Sequence, residues 1–247
     1  MNNIQVQDHQ GVRIICFNRP EKRNALNLDM YKRVTEYLIE GEADNGIRAF
    51  MFYGNNQCFT SGNDISDFLA NGNLGPTHPT VRFLYCLLEL KKPIVAAVSG
   101  CAVGIGTTLL LHCDLVYADD TASFQLPFVN LALVPEAGAS LLLPELIGYQ
   151  KAAELLLLGD SFSAQTAKQL NMINGIVANE ELYQFALSRA IRLAAQPPEA
   201  LQATRQLMRP HKSRVQHQMH QELEQFGERL QSKEARALFA SFLNKKK

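Results

Sequence analysis

The chain has 247 residues, 47% of them hydrophobic and 19% charged, which suits one compact domain with a helical appendage. Lysine plus arginine equal aspartate plus glutamate at 24 each, so no net positive field argues for a nucleic-acid partner. The low charge content leaves apolar surface for a subunit interface. The five cysteines, Cys16, Cys58, Cys86, Cys101 and Cys113, form no CxxC and read as small hydrophobes of a reducing, cytoplasmic compartment. The opening residues predict no secretory signal, and the last ones no peroxisomal Ser-Lys-Leu-type address.

"IQVQ" and "GVRIICFN" predict two early strands. The loop "RPEKRNAL" follows, and Asn27 then stands where a helix N-cap belongs, with Met30, Val34, Tyr37 and Leu38 at helical spacing behind it. "IRAFMFYG" predicts a third strand, "NNQCFTSGND" a polar loop, "ISDFLANG" a helix start, and "NGNLGPTHP" a turn-rich loop. A helix is expected over 80–91, a buried strand at "PIVAAVSG", and a glycine loop leading into a helix at "GIGTTLLLHC". Residues 93–113 carry no Asp, Glu, Lys or Arg and match a membrane span in length. Pro93, Ser99, the glycines and His112 argue instead for a strand, loop and helix inside a protein core, with no membrane partner. "DLVYADD" predicts another strand, "ASFQLP" a short one, and 136–146 a helix. Beyond about residue 149 the pattern is helical, broken at Pro197–Pro198 and Pro210, with a Gln-rich face expected to be exposed and "NKKK" a solvated end. Alternating β and α followed by α alone predicts an α/β core over 1–190 and a helical region over 191–247.

Several familiar sites are absent. Gly104-Ile105-Gly106-Thr107-Thr108 runs into Leu109, so the dinucleotide fingerprint fails, and no GxxxxGK[ST] or GxSxG occurs. His211, His217 and His220 have no acid to complete a metal set, so no metal site is expected. Two glycine-marked loops, "CFTSGNDI" (58–65) and "GCAVGIGTT" (100–108), are either ordinary tight turns or, if they meet, the two halves of an oxyanion hole. Glu136 is the lone charge of "VNLALVPEAGASLLLP". It is either an acid favoured near a helix N-terminus or a base held in a dry pocket.

"NRPEKRNAL", "CFTSGNDI", "KKPIVAAVSGCAVGIGTTLLLHCDLVYADDTASFQLP" and "SAQTAKQLNMINGIV" occur in an order and at distances that resemble the crotonase (enoyl-CoA hydratase/isomerase) superfamily. The resemblance implies an α/β spiral of ββα units with a helical C-terminal trimerisation region. It implies a homotrimer or dimer of trimers, an acyl-CoA thioester as substrate, and no separate cofactor. The thioester oxygen would be held by the backbone amides of Ser61 and Ile105, with Gly104 opening the second loop. Lys22, Arg23, Asn24, Ala25 and Leu26 would line the CoA site. So would Ser61, Gly62, Asn63, Asp64 and Ile65, Asp64 mainly by holding its own loop.

Hydratases of the superfamily hold water with two glutamates, and the matching positions here are Thr108 and Phe128. Water addition needs both an acid and a base, so these replacements weigh against hydration. "NLALVPEAG" and "SGNDISDF" resemble the peroxisomal-type Δ3,Δ2-enoyl-CoA isomerases, which implies Glu136 as a single proton shuttle between C2 and C4. The rivals are another crotonase reaction such as hydration, and an idle acyl-CoA- or RNA-binding member.

Overall fold

A computed structural model describes residues 3–55, 57–70 and 74–244, with no account of the side chains of 68–70 and 242–244. Asn56 of the polar loop, residues 71–73 of the turn-rich loop, and the last three residues of "NKKK" lie outside the described residues. The chain opens with a hairpin of β1 (Ile4–His9) and β2 (Val12–Phe17). Gln10 and Gly11 both have positive φ, 47° and 78°, as a two-residue turn matched to strand twist requires. That turn carries β1 two residues past the expected "IQVQ".

The order continues α1 (Leu28–Ala43), β3 (Ala49–Tyr53), β4 (Cys58–Thr60), α2 (Ile65–Ala70), α3 (Pro79–Glu89), β5 (Ile94–Val98), β6 (Cys101–Val103) and α4 (Ile105–Thr108). It then runs β7 (Leu115–Ala118), β8 (Ser123–Gln125), α5 (Ala139–Ile147), α6 (Tyr149–Ala153), β9 (Phe162–Ser163), α7 (Ala164–Gln169) and β10 (Gly175–Ile176). The last elements are α8 (Asn179–Ala194), α9 (Pro198–Met208), α10 (Lys212–Leu230) and α11 (Lys233–Asn244). Asn27 caps α1 as expected, its side chain accepting from the Met30 amide at 2.9 Å.

Two sheets stand side by side in strand order, β1-β2-β3-β5-β7-β10 and β4-β6-β8-β9. β3, β5 and β7 lie parallel in the first sheet, and each is followed at once by a strand of the second, β4, β6 and β8. This is the spiral that the resemblance implies, one strand per sheet per turn. Gly100 makes the corner between β5 and β6. Its φ is 61°, and a Cβ there would sit 1.9 Å from the Gln57 carbonyl oxygen. One face of the first sheet packs on α8 through residues such as Val12, Met51 and Val95 against Leu182, Ala186 and Ala190. The main core, including Phe17, Phe52, Leu84 and Phe124, fills the space between sheets and helices.

Residue 190, the expected end of the core, falls inside α8, which lies on the sheet; the helical tail proper starts at α9, after Pro197. α9 is tied to the core by Arg205, 8% exposed, whose Nε donates to both oxygens of Asp114 at 2.8 and 2.9 Å. Removing Asp114 strands a buried guanidinium. Asp114→Ala is therefore expected to destabilise the fold by about 3–5 kcal/mol in chemical denaturation. No helix among the described residues is long and apolar enough to cross a membrane.

Candidate active site

The two glycine loops meet. β4 feeds the first and β6 the second, and the strands pair in parallel with Cys58 opposite Cys101. A Cβ on Gly62, where φ is 91°, would lie 2.8 Å from the Val103 carbonyl oxygen. A Cβ on Gly106 would lie 2.7 Å from Thr60 Cγ2 and 2.9 Å from its carbonyl oxygen. Only glycine permits backbones to approach this closely. The register also corrects the reading of the cysteines. Cys58 and Cys101 form a disulfide with their Cα atoms 4.6 Å apart, while Cys16, Cys86 and Cys113 are free. Closing a loop of 43 residues, the bridge stabilises by about 4 kcal/mol on the chain-entropy account and staples the strands that carry the two loops.

The donor in the first loop differs from the expected one. The Ser61 amide is bonded to the Arg23 carbonyl at 3.0 Å. Leu26 and Asn63 form an isolated parallel bridge, in which the Leu26 amide donates to Gly62 and the Asp64 amide donates to Leu26. Those bonds come from the neighbours of Asn63, so the Asn63 amide points away from the bridge, and it donates to no backbone carbonyl among the described residues. In the second loop Gly104, with φ 56°, turns the chain into α4. The Thr107 and Thr108 amides bond the Gly104 carbonyl, and the Ile105 and Gly106 amides of the first turn have no backbone acceptor among the described residues. Asn63 in the first loop and Ile105 and Gly106 in the second thus carry amides with no backbone acceptor among the described residues.

Of the segment Lys22–Leu26, Lys22 and Arg23 are exposed and Ala25 is half-buried. Asn24 and Leu26 are not available to a ligand. Asn24 is fully buried at φ 55°, donating to the Cys58 carbonyl at 2.7 Å and accepting from the Arg19 amide at 2.8 Å. Leu26 lies in the core. Asp64 is bonded within the fold. Its carboxylate accepts from Arg19 Nη1 at 2.7 Å and from the Ser66 amide at 3.1 Å. Burial opposes its ionisation, but the Arg19 guanidinium and the Ser66 amide prevail and its pKa is lowered. Ile65 opens α2 and packs on the core edge, and Phe128 is buried in the core.

Glu136 is 3% exposed. It precedes α5 instead of starting it, because Ala137 (φ 61°) and Gly138 (φ 75°) turn the chain before the helix begins at Ala139. The helix N-terminus does not hold the Glu136 carboxylate. That place is taken by Glu222 of α10, whose oxygens accept from the Gly138 amide at 2.6 Å and the Ser140 amide at 2.9 Å. Glu136 Oε1 accepts instead from Thr108 Oγ1 at 2.5 Å, and Oε2 is buried without a hydrogen-bond partner among the described residues. Thr108, at a position where a hydratase-like acid was sought, is thus the donor to the acid that remains. Desolvation pushes the Glu136 pKa up to about 8; the Thr108 hydrogen bond works against this and the charge of Glu222 adds to it. Tyr31 lies within electrostatic range of Glu136 and donates through its hydroxyl to the Asn63 side chain of the first loop.

His112, 2% exposed, packs its Nε2 against the Ala137 carbonyl at 2.7 Å. Burial pushes its pKa down to about 4, so the ring is neutral and the carbonyl partner requires the proton on Nε2. No group of three or more metal-ligating side chains occurs among the described residues.

The sequence from residue 7 to 247 matches the family model described as enoyl-CoA hydratase/isomerase. The chain belongs to this family. Within the enoyl-CoA hydratase/isomerase family, its relatives are named for both reactions. An Escherichia coli protein named 2,3-dehydroadipyl-CoA hydratase is 32% identical over 85% of this chain and 82% of its own length. The Mus musculus protein named enoyl-CoA delta isomerase 3, peroxisomal, is 31% identical over 85% of this chain and 68% of its own. The structure of Pseudomonas aeruginosa OdaA superposes with a TM-score of 0.96 at 40% identity, covering 98% of this chain and 99% of that one. The crotonase resemblance is thereby established, and with it an enzyme of enoyl-CoA hydratase/isomerase type.

Residue reading missed His112, Tyr31 and Glu222. His112 looks like an ordinary core residue of an apolar segment, and Tyr31 stands beside Lys32 and Arg33, outside the stripe of Met30, Val34, Tyr37 and Leu38. Glu222 and its neighbour Gln218 sit in the Gln-rich stretch read as an exposed face; in fact Glu222 is buried and Gln218 half-buried, donating to Ser140 Oγ.

Proposed function

We propose that the protein is a Δ3,Δ2-enoyl-CoA isomerase of fatty-acid oxidation, with Glu136 as its single acid–base group and acyl-CoA as substrate without a separate cofactor. One observation carries the reading: a buried carboxyl with one oxygen on Thr108 and the other without a hydrogen-bond partner among the described residues, in a site where Phe128 and Thr108 stand in place of two water-holding acids. Ionised Glu136 removes a proton from C2 of a 3-enoyl-CoA. The electron pair moves into a dienolate whose oxygen accepts from the Asn63 and Ile105 amides, and the carboxylic acid returns the same proton to C4. Nothing is gained or lost overall, and a dry pocket protects the dienolate from water. Exposed Leu157, Leu158, Leu207 and Met208 support the trimeric assembly that the family resemblance implies.

The test is product analysis. A 3-enoyl-CoA is expected to give the 2-enoyl isomer, and a 2-enoyl-CoA little 3-hydroxyacyl product. Hydration at a comparable rate would favour the second reading, for which the hydratase name of the Escherichia coli relative speaks. The base must be ionised to act, so kcat/KM is expected to rise with pH through an apparent pKa near 8.

A further inference from the structure

The segment that carries Glu136 is held from outside. α5 begins with Gly138 at its N-cap, which has no side chain to satisfy the first amides. Glu222 supplies the missing acceptor from α10. Its Oε2 takes the Gly138 amide at 2.6 Å, and its Oε1 takes the Ser140 amide at 2.9 Å and Ser140 Oγ at 2.5 Å. Gln218, one turn earlier on α10, donates to Ser140 Oγ at 2.9 Å. Glu222 is 5% exposed, so its bonds are not shared with bulk water. From the opposite side His112 fixes the Ala137 carbonyl. Ala137 has no glycine-like freedom, and its φ of 61° persists because both sides are pinned.

We propose that Glu222 is a positioning residue for Glu136: its buried carboxylate clamps the amides of Gly138 and Ser140 and so fixes the turn from which the Glu136 carboxyl is aimed. The proposal rests on the reading of Glu136 as the proton shuttle. The clamp also carries charge. Tyr31 from α1 and Glu222 from α10 interact electrostatically with Glu136, and His112, from the turn after α4, bonds the carbonyl of the next residue, Ala137. Burial keeps the Tyr31 phenol and the His112 ring neutral. Burial raises the pKa of Glu222 above the ordinary carboxyl value, its bonds to Ser140 and Gly138 pull the other way, and its charge raises the pKa of Glu136.

The experiment compares wild type with Glu222→Gln and Glu222→Ala in the full chain. Turnover of a 3-enoyl-CoA is measured beside an infrared pH titration of the Glu136 carboxyl, identified by its loss in Glu136→Gln. Glutamine has one acceptor oxygen and cannot serve both amides. Glu222→Gln is expected to lower kcat about tenfold or more with KM little changed, because small misplacements of a reacting group are costly. The Glu136 carboxyl is expected to titrate at lower pH once the neighbouring charge is gone. Glu222→Ala is expected to lose more activity, and if it does not fold, Glu222→Gln alone decides. A kcat within twofold of wild type, or an unmoved Glu136 titration, overturns the proposal even if thermal stability falls. Wild-type turnover in Glu136→Gln would instead overturn the shuttle, a result separate from the titration.

Discussion

Glu136→Gln is expected to reduce turnover of a 3-enoyl-CoA by about 10³-fold or more, near the upper part of what a positioned general base contributes. The side chains match in shape, and the glutamine oxygen still accepts from Thr108, so the pocket and KM are expected to change little. Only the ability to take up a proton is lost. The same substitution has an opposite effect on stability, with a sign set by the raised pKa. In the unfolded chain the carboxyl ionises near its ordinary 4.5, whereas in the fold it holds its proton to about 8. Between those values rising pH ionises only the unfolded chain and draws the equilibrium toward it; above about 8 the loss levels off. Glutamine has no such dependence. Thermal denaturation at pH 9 is expected to show Glu136→Gln more stable than wild type, on the order of a few kcal/mol, with the gap closing near pH 4. Turnover within tenfold of wild type would remove Glu136 from the mechanism. Equal stability at both pH values would mean that its carboxyl ionises normally in the fold.

That Glu136 was visible at all in the sequence reflects composition: a single charge in an apolar run stands out, and Thr108 and Phe128 stood out because a family pattern says what else could be there. Its partners were not visible. Glu222 belongs to a helix rich in Gln, Glu and His, and nothing in a polar heptad says which carboxylate turns inward. The Ser61 reading failed for a related reason. Which amide of a loop is open depends on which neighbours bond to an adjoining segment, and the Leu26–Asn63 bridge joins loops far apart in the chain. The elements follow the same rule. α1 and α8 were legible because they repeat an apolar stripe over four turns or more. β4 and β6 are three residues each and run directly into glycine-marked turns, so the sequence presents both as parts of loops. The disulfide needs the register of exactly those two strands, and could not be foreseen without it.

The approach of the two loops, the feature that those short strands create, carries the second large effect. Gly106→Ala is expected to lower kcat about 10²–10³-fold, comparable to losing an oxyanion donor. Gly106 is helical, so alanine suits its backbone, and the obstacle is space alone: the new Cβ would stand 2.7 Å from Thr60 Cγ2 and 2.9 Å from the Thr60 carbonyl oxygen. Thr60 has nowhere to move. It is fully buried, its Oγ1 donates to the Asn24 carbonyl at 2.7 Å, and the same oxygen accepts from the Gly62 amide at 3.1 Å. The Cys58–Cys101 bridge holds the two strands behind the loops, so the strain falls on the loop tips. The tips carry the Asn63 and Ile105 amides, and a separation of a few tenths of an ångström there misplaces two donors aimed at one oxygen. Overpacking is also expected to cost about 1–3 kcal/mol of stability, so activity is read at a temperature where the variant is folded. Gly227→Ala serves as the control, since a Cβ at that position meets nothing within 4 Å. It is expected to keep wild-type kcat. A folded Gly106→Ala with wild-type kcat would mean that catalysis does not depend on the contact between the loops, and the dienolate would need another source of stabilisation.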